Sequence, residues 1–276
     1  MVNSQRSRKN FLEYQDNFKD LFCKSDLMLF LDFDGTLAAI VGHYKNARIL
    51  QKSKMLLEQI AKSSQCYVAI VSGRALLDVK KRVGLKNVIY AGNHGLEVAG
   101  PGLKRTLFVK TDVKKVLRKI KTDLTKSIGR TKGILIEDKT LTLSVHYRRV
   151  SREDLTLFKQ IFWKNVRPYL KSRAIEVHEG KKVLEIKPMA KWNKGSIVLW
   201  LIGRLQKNIR RRKFFPIFIG DDATDETAFA ALRDKGLCIR VGRSKASAAQ
   251  YRLNSIDHVA QFLKIILDST SRHTLK

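Results

Sequence analysis

The sequence predicts an α/β fold, a parallel sheet flanked by helices and interrupted by a smaller inserted α+β unit. Three observations predict it. Short β-forming runs alternate with stretches of helical periodicity between residues 27 and 90, the pattern of strand–helix–strand units. Near Pro101-Gly102 this changes to helix, two strands, helix, two strands, and the first pattern resumes near residue 189. Polar or acidic residues directly follow the predicted core strands, as in sheets that bind ligands beyond their carboxyl ends.

Leu27–Phe33 reads as a short buried strand closing in the string Asp32-Phe33-Asp34-Gly35-Thr36. Residues 47–62 carry apolar positions at helical spacing. Tyr67–Val71 is the second strand, ended by Ser72-Gly73-Arg74, and a helix follows to Val83. Asn87–Tyr90 is the third strand and opens into Ala91-Gly92-Asn93-His94-Gly95. In the inserted unit, residues 110–128 form a basic helix, and Gly133–Glu137 and Leu141–Arg148 are strands about a turn at Asp138–Thr140. Residues 151–170 are helical behind a Ser151 cap pattern. Ala174–His178 and Lys182–Lys187 make a second hairpin around Glu179-Gly180. The core then resumes with a helix from Asn193-Lys194-Gly195 and the strand Phe214–Ile219, which ends in Gly220-Asp221-Asp222. A helix from about Thr224 to Arg233, a strand at Leu237–Val241 and a helix at Ile256–Leu267 complete it, and the polar tail Ser269–Lys276 is expected to fray.

Composition bounds the partners. The chain has 276 residues, 44% hydrophobic and 29% charged, enough for a real core in a soluble protein. No apolar run approaches membrane-spanning length and residues 1–20 are too polar for a signal peptide, so a cytoplasmic address is expected. Cys23, Cys66 and Cys238 are far apart, giving neither a metal knuckle nor a disulfide framework. His43, His178, His258 and His273 form no metal spacing. The net charge of +30 suggests attraction to polyanions. The basic residues are spread over helical surfaces such as Lys110–Lys121 and Lys207–Lys213 with no finger, helix-turn-helix or aromatic–basic repeat, so no specific nucleic acid is expected.

Two carboxylates two residues apart at a strand end suit phosphoryl transfer. A phosphate monoester is dianionic, and a divalent cation between it and an anionic nucleophile removes much of the repulsion. Asp32 ends the strand and is the nucleophile candidate; Asp34 is the general acid and then the general base for water. Hard oxygen ligands favour Mg²⁺, with Asp32, Asp34 and Asp221 as ligands and Asp222 and Asp225 as outer-shell groups. Asp225 and Glu226 also have a plain reading as helix-start acids, whereas a doubled Asp at a strand end needs a cation or a basic partner to offset its repulsion. The Ser72 hydroxyl can hold a phosphoryl oxygen, or be an ordinary turn serine. Lys194 opens a helix, where the dipole disfavours a cation, and so hints at an anion to pair with.

These strings resemble the haloacid-dehalogenase (HAD) superfamily of phosphohydrolases. Asp32, Asp34, Gly35 and Thr36 match its first motif, Ser72 the second, Lys194 the third and Gly220-Asp221-Asp222 the fourth, over residues 27–267. Residues 220–226 (GDDATDE), 91–97 (AGNHGLE), 137–139 (EDK), 146–148 (HYR) and 184–188 (LEIKP) are similar to strings of its trehalose-6-phosphate phosphatases. The resemblance implies a HAD-like Rossmannoid core at residues 1–103 and 189–276, and a cap at 104–188 built from two αββ units, the C2B type. It implies Mg²⁺-dependent hydrolysis of trehalose 6-phosphate through an aspartyl-phosphate on Asp32. It also implies substrate contacts from Thr36, Arg74, Asn93 and His94 in the core and Lys139, His146, Arg148, Glu185 and Lys187 in the cap. Lys187 stands where the family often carries arginine, keeping the charge without the bidentate fork.

Alternation along Leu141–Arg148 puts Leu141, Leu143 and Val145 on one face and Thr142, Ser144, His146 and Arg148 on the other. That polar face is either a sugar-binding ceiling or an ordinary wet surface, and Lys139 either a ligand or a solvated turn residue. The rival functions are a phosphatase for glucosylglycerol or mannosylglycerate phosphate, and a basic polyanion-binding protein on a phosphatase-like fold. The expected partners are the phosphorylated disaccharide and a trehalose-6-phosphate synthase on a separate chain, with the phosphatase a monomer.

Overall fold

The computed structural model describes residues 9–107, 109, 112–180, 182–190, 192–208, 214–244 and 246–271. The chain divides into two compact units, Met1–Thr106 with Trp192–Lys276, and Leu107–Lys191. The first begins with β1 (Lys9–Asn10), α1 (Phe11–Tyr14) and α2 (Asp16–Lys24). It continues through β2 (Asp26–Leu31), α3 (Gln51–Ile60), β3 (Cys66–Val71), α4 (Leu76–Val83), β4 (Ile89–Gly92), β5 (Glu97–Gly100) and β6 (Leu103–Leu107). The second holds α5 (Asp112–Ile128), β7 (Leu135–Asp138), β8 (Leu143–His146), α6 (Arg152–Lys171), β9 (Ile175–Gly180) and β10 (Val183–Pro188). The first resumes with α7 (Lys194–Asn208), β11 (Phe214–Gly220), α8 (Glu226–Leu232), β12 (Leu237–Val241), β13 (Tyr251–Leu253) and α9 (Ile256–Ser271).

The large sheet runs β1-β13-β12-β11-β2-β3-β4-β5-β6. Pairing is parallel from β1 through β4 and antiparallel between β4 and β5. β2 reads as an almost unbroken apolar run because it is central and covered on both faces. Leu29, Leu31, Ile70 and Ile219 meet Leu57 of α3, Val79 of α4 and Leu263 of α9 in the main core.

Several elements go beyond the sequence reading. α2 is short, its apolar stripe being Phe18, Leu21 and Phe22; Phe18 and Phe22 stack at 5.8 Å and both lie in an aromatic cluster with Phe11, Tyr251 and Phe262. That packing, rather than local propensity, supports the helix. β5 and β6 extend one end of the sheet, and the three-residue β13 lies between β1 and β12 near the other; all three are short, with no clear alternation. Residues 223–225 form a 3₁₀ turn before α8 starts at Glu226. The stretch expected to fray stays helical through Ser271. Ser269 and Thr270 donate their hydroxyls back to the Ile265 and Ile266 carbonyls, which satisfies them inside the helix. Residues 272–276, like Lys110 and residues 209–213, lie outside the described residues.

The second unit is a four-stranded sheet in the order β7-β8-β10-β9, antiparallel throughout. Leu143, Val145, Leu184 and Ile186 present its apolar face to Leu117, Ile120 and Leu124 of α5 and Phe158, Phe162 and Val166 of α6. Burial pushes the Cys66 and Cys238 thiols up to about 12, so both are inert packing groups. Among the described residues no helix is long and apolar enough to cross a membrane.

Candidate active site

Strand register brings the candidate residues together. Leu31 is level with Ile219 of β11 and with Ile70 of β3, and Val71 with Ala91 of β4. The ladder runs one residue further: the Asp32 N–H donates to the Ile219 carbonyl and the Ser72 N–H to the Ala91 carbonyl, each at 2.9 Å. Asp32, Ser72, Asp221 and Asn93 therefore leave the sheet along one carboxyl edge.

At the centre is a buried ion cluster. Lys194, at the start of α7, donates to Asp32 Oδ1 at 2.8 Å and to Asp225 Oδ1 at 2.6 Å, and its side chain is 2% exposed. Burial alone would lower its pKa, but Asp225 and Asp32 outweigh that and hold the ammonium above the ordinary lysine range. Burial pushes Asp32 well above the usual carboxylate range, with Asp225 and Asp221 adding to it and Lys194 opposing. Asp32, Asp221 and Asp225 offer carboxylate oxygens within 4.8 Å of one another. Three buried hard oxygen donors fit a divalent cation such as Mg²⁺.

The surrounding backbone is shaped for this cluster. Gly35 has φ +82°, and a Cβ there would collide with the Asp221 carboxyl group; only glycine allows both the turn and the approach. Gly220 likewise gives way to Asp225. Asp222 and Asp225 cap each other's backbone reciprocally, Asp225 Oδ2 accepting from the Asp222 N–H at 2.9 Å. Asp222 thus has the capping role of a helix-start acid, whereas Asp225, read from sequence as outer-shell, also faces the cluster. Arg240 of β12 steadies this corner, donating to the Asp221 carbonyl and to Glu226 at 2.5 and 2.8 Å.

Asp34 is not part of this three-carboxylate group. Arg74 clamps it bidentately, Nε to Oδ2 at 2.7 Å and Nη2 to Oδ1 at 2.6 Å. Arg74 is itself fixed by Asp78 at 2.8 Å and the Tyr44 carbonyl at 3.0 Å, and Arg82 also donates to Asp78. Burial works against the Arg74 charge, but Asp34 and Asp78 more than offset it and raise its pKa; Asp78 is lowered despite its burial, by Arg82 and Arg74. Asp34 remains partly open, its side chain being 41% exposed. Arg74, read from sequence as a substrate contact, is here the holder of the second aspartate. The four-residue spacing of Arg74, Asp78 and Arg82, running from just before α4 to its last turn, was the available signal for that network.

The remaining core candidates frame the edge. Ser72 is buried, its hydroxyl accepting from the Arg74 N–H at 3.2 Å. Asn93 and His94 both have positive φ, 50° and 58°, a strained pair for non-glycine residues. Their N–H groups donate to the Arg74 and Ser72 carbonyls at 2.7 and 2.9 Å, which ties the two loops together. Glu97, which the sequence reading left unassigned, accepts from the Asn93 amide at 2.8 Å and from the Leu76 N–H at 3.1 Å. Thr36 is fully buried, and its hydroxyl has no partner among the described residues.

The second unit gathers most of its candidates on the polar sheet face. Ser144 is level with Glu137 and with Glu185 across β7, β8 and β10. Lys139 donates to Glu185 Oε1 at 3.0 Å, and Lys187 lies 3.5 Å from Glu185 Oε2. Burial lowers the Lys187 pKa, with Glu185 opposing. Lys139 is only 10% exposed, so it is no solvated turn residue. His146 Nε2 is 2.9 Å from Glu137, a partner the sequence reading missed. β8 ends at His146, and Arg148 falls in the exposed turn beyond it rather than on the predicted strand face. Tyr147 turns into the core against Phe158, which breaks the alternation.

A mainly parallel sheet with Asp32, Ser72, Lys194 and Asp221 at its carboxyl edge, and an α+β unit interposed in the chain, defines the HAD phosphohydrolase fold. The C-terminal domain of Candida albicans trehalose-6-phosphate phosphatase superposes with a TM-score of 0.80 at 25% identity, covering 95% of this chain and 99% of that one. A trehalose-6-phosphate phosphatase related protein, at 21% identity and a TM-score of 0.73, covers 89% of this chain and 99% of its own and shares the fold. Within that class the chain belongs to the trehalose-phosphatase family, whose model matches residues 30–257. The trehalose-phosphate phosphatase of Mycobacterium marinum is 35% identical over 239 residues, covering 85% of this chain and 60% of the relative. That of Mycobacterium leprae is 34% identical over 245 residues, with 85% and 56% covered. The chain thus spans less than two thirds of the length of these curated relatives.

Proposed function

We propose that this chain hydrolyses trehalose 6-phosphate to trehalose and phosphate, with Asp32 as nucleophile and Mg²⁺ as cofactor. The observation that carries the chemistry is the buried Asp32–Lys194–Asp225 bridge, with Asp221 beside it, at the carboxyl edge of the sheet. Membership of the trehalose-phosphatase family supports the substrate.

The Asp32 carboxylate attacks phosphorus as the bond to the sugar oxygen breaks, and Asp34 delivers a proton to that leaving oxygen. Asp34, now a carboxylate, takes a proton from water, which attacks the aspartyl-phosphate and restores Asp32. Lys194 favours the ionised form of Asp32 against its burial and aims it, and the Ser72 and Thr36 hydroxyls hold phosphoryl oxygens. Asp32, Asp221 and Asp225 would hold Mg²⁺, which supplies the positive charge that lets carboxylate and phosphate approach. Asp34, committed to Arg74, is assigned to proton transfer rather than to side-chain ligation of the metal. The sugar end is read by the polar face of the inserted unit: Lys139, His146, Glu185 and Lys187, with Glu137 added and Arg148 at its margin. Every group named lies on one chain, so a monomer suffices. The same reading puts the reaction in the cytoplasm, with substrate made by a synthase on another chain.

The test is phosphate release from trehalose 6-phosphate by the purified protein. Turnover should stop with EDTA and return with Mg²⁺; no release under either condition would refute the proposal. A further expectation concerns Arg74→Lys, which keeps the charge and loses the fork. With Asp34 no longer held in one orientation, kcat should fall about 10–100-fold with KM little changed. A raised KM with an intact kcat would instead make Arg74 a substrate contact.

A further inference from the structure

We propose that the helical layer of the inserted unit binds the phosphodiester backbone of nucleic acid without sequence preference, along the groove between α5 and α6. The two helices are antiparallel neighbours: Tyr169 OH donates to Asp123 at 3.1 Å and Ser127 Oγ to Asn165 at 3.2 Å. Between them lies a groove of about 620 Å³, flanked by Lys119 on one side and Lys164 on the other.

The cations form two rows on the outer faces of the helices, of which Lys119 and Lys164 line the groove itself. Lys115, Arg118, Lys119 and Lys126 fall within about 100° of arc on α5, and Lys164, Arg167 and Lys171 within about 60° on α6, at 3.6 residues per turn. All seven are exposed. The ion pairs of these helices among the described residues use other lysines, Lys121 with Asp138 and Lys159 with Glu179. The seven therefore lack a carboxylate partner among the described residues. The α5 row extends about 16 Å at 1.5 Å per residue, and the rows stand about one helix-packing distance, 8–10 Å, apart. A single phosphate backbone lying in the groove would be in reach of both. Asp123 opposes an anion there, but it is one carboxylate against two rows and is already engaged by Tyr169.

The groove wall selects among polyanions. It is lined by Lys119, Lys164 and Asp123, by the polar Ser127, Asn165 and Tyr169 hydroxyl, and by Ile161, Pro168 and the Tyr169 ring. No buried aromatic or aliphatic anchor of the kind that dominates protein interfaces is offered. Five of the seven cations are lysines, point charges suited to phosphate rather than to bidentate reading of base edges.

The experiment is fluorescence anisotropy of labelled 20-nucleotide RNAs, one of mixed sequence and one scrambled, across a salt series. Wild-type protein should bind both equally, with a log–log salt slope of magnitude about 3. The triple variant Lys119→Ala, Lys126→Ala, Lys164→Ala should bind at least about tenfold more weakly, with a slope shallower by about 2, and should keep its melting temperature. A matched variant at exposed sites of the first unit, Lys52→Ala, Lys80→Ala, Lys81→Ala, removes the same charge and should bind within about twofold of wild type. No binding at low salt, an equal loss in the matched variant, or a preference between the two RNAs would overturn the proposal. So would tighter binding of poly-glutamate than of RNA at the same salt, which would point to an acidic protein instead.

Discussion

Asp32→Asn should cut phosphate release from trehalose 6-phosphate by about 10⁴-fold or more, as removal of a covalent nucleophile does, without unfolding the protein. The two halves of that expectation come from the same geometry. An amide keeps the volume of the carboxylate and an oxygen for Lys194, which stands 2.8 Å away. It removes a charge that burial, Asp225 and Asp221 already disfavour, so the melting temperature should hold or rise slightly. An amide oxygen has no comparable nucleophilicity, and neither Asp34, clamped by Arg74, nor Asp225, bridged to Lys194, can take its place. Phosphate assays beside thermal melts of both proteins check this. Turnover within tenfold of wild type in the asparagine variant would move the nucleophile elsewhere.

Lys194→Met should be the most destabilising single change in the site. The side chain is of similar length but leaves Asp32 and Asp225 buried without the ammonium that bridges them. Breaking a buried charge pair from one side costs about 3–5 kcal/mol. Chemical denaturation at neutral pH should show a loss of that order, and activity should vanish with it. Protonating Asp32, whose pKa burial already raises, relieves the repulsion, so the deficit should narrow as pH falls from about 8 to 5. Added Mg²⁺ should narrow it as well by occupying the three-carboxylate cluster. A variant as stable as wild type at pH 8 would mean that Lys194 is not the counter-ion of the cluster.

The core strands, the helices between them and the two αββ halves of the inserted unit were legible because their periodicities are local. β2 announces itself through five consecutive apolar residues before Asp32, and strand order placed Ser72 and Asp221 near it. The N-terminal helix α2 was not legible, because its support is an aromatic cluster completed by Tyr251 and Phe262 far along the chain. Within the site, residue types were readable and pairings were not. Arg74 can be seen as a cation near a phosphate site, but only the fold shows that its fork is spent on Asp34. Asp225 carries the helix-start signature of a capping acid, which hid its second oxygen facing Lys194. Glu137 was passed over for the same kind of reason. A strand-end glutamate is unremarkable until the register sets His146 beside it.

Substrate choice tests the whole account most directly. The ratio of kcat/KM for trehalose 6-phosphate to that for glucose 6-phosphate should be measured on the wild-type protein with Mg²⁺. Both carry the same reacting group, so the core site alone would treat them alike, and any difference must come from groups that read the second sugar ring. A polar face that hydrogen-bonds that ring should discriminate by about 100-fold or more. Equal values for the two substrates would contradict the assignment.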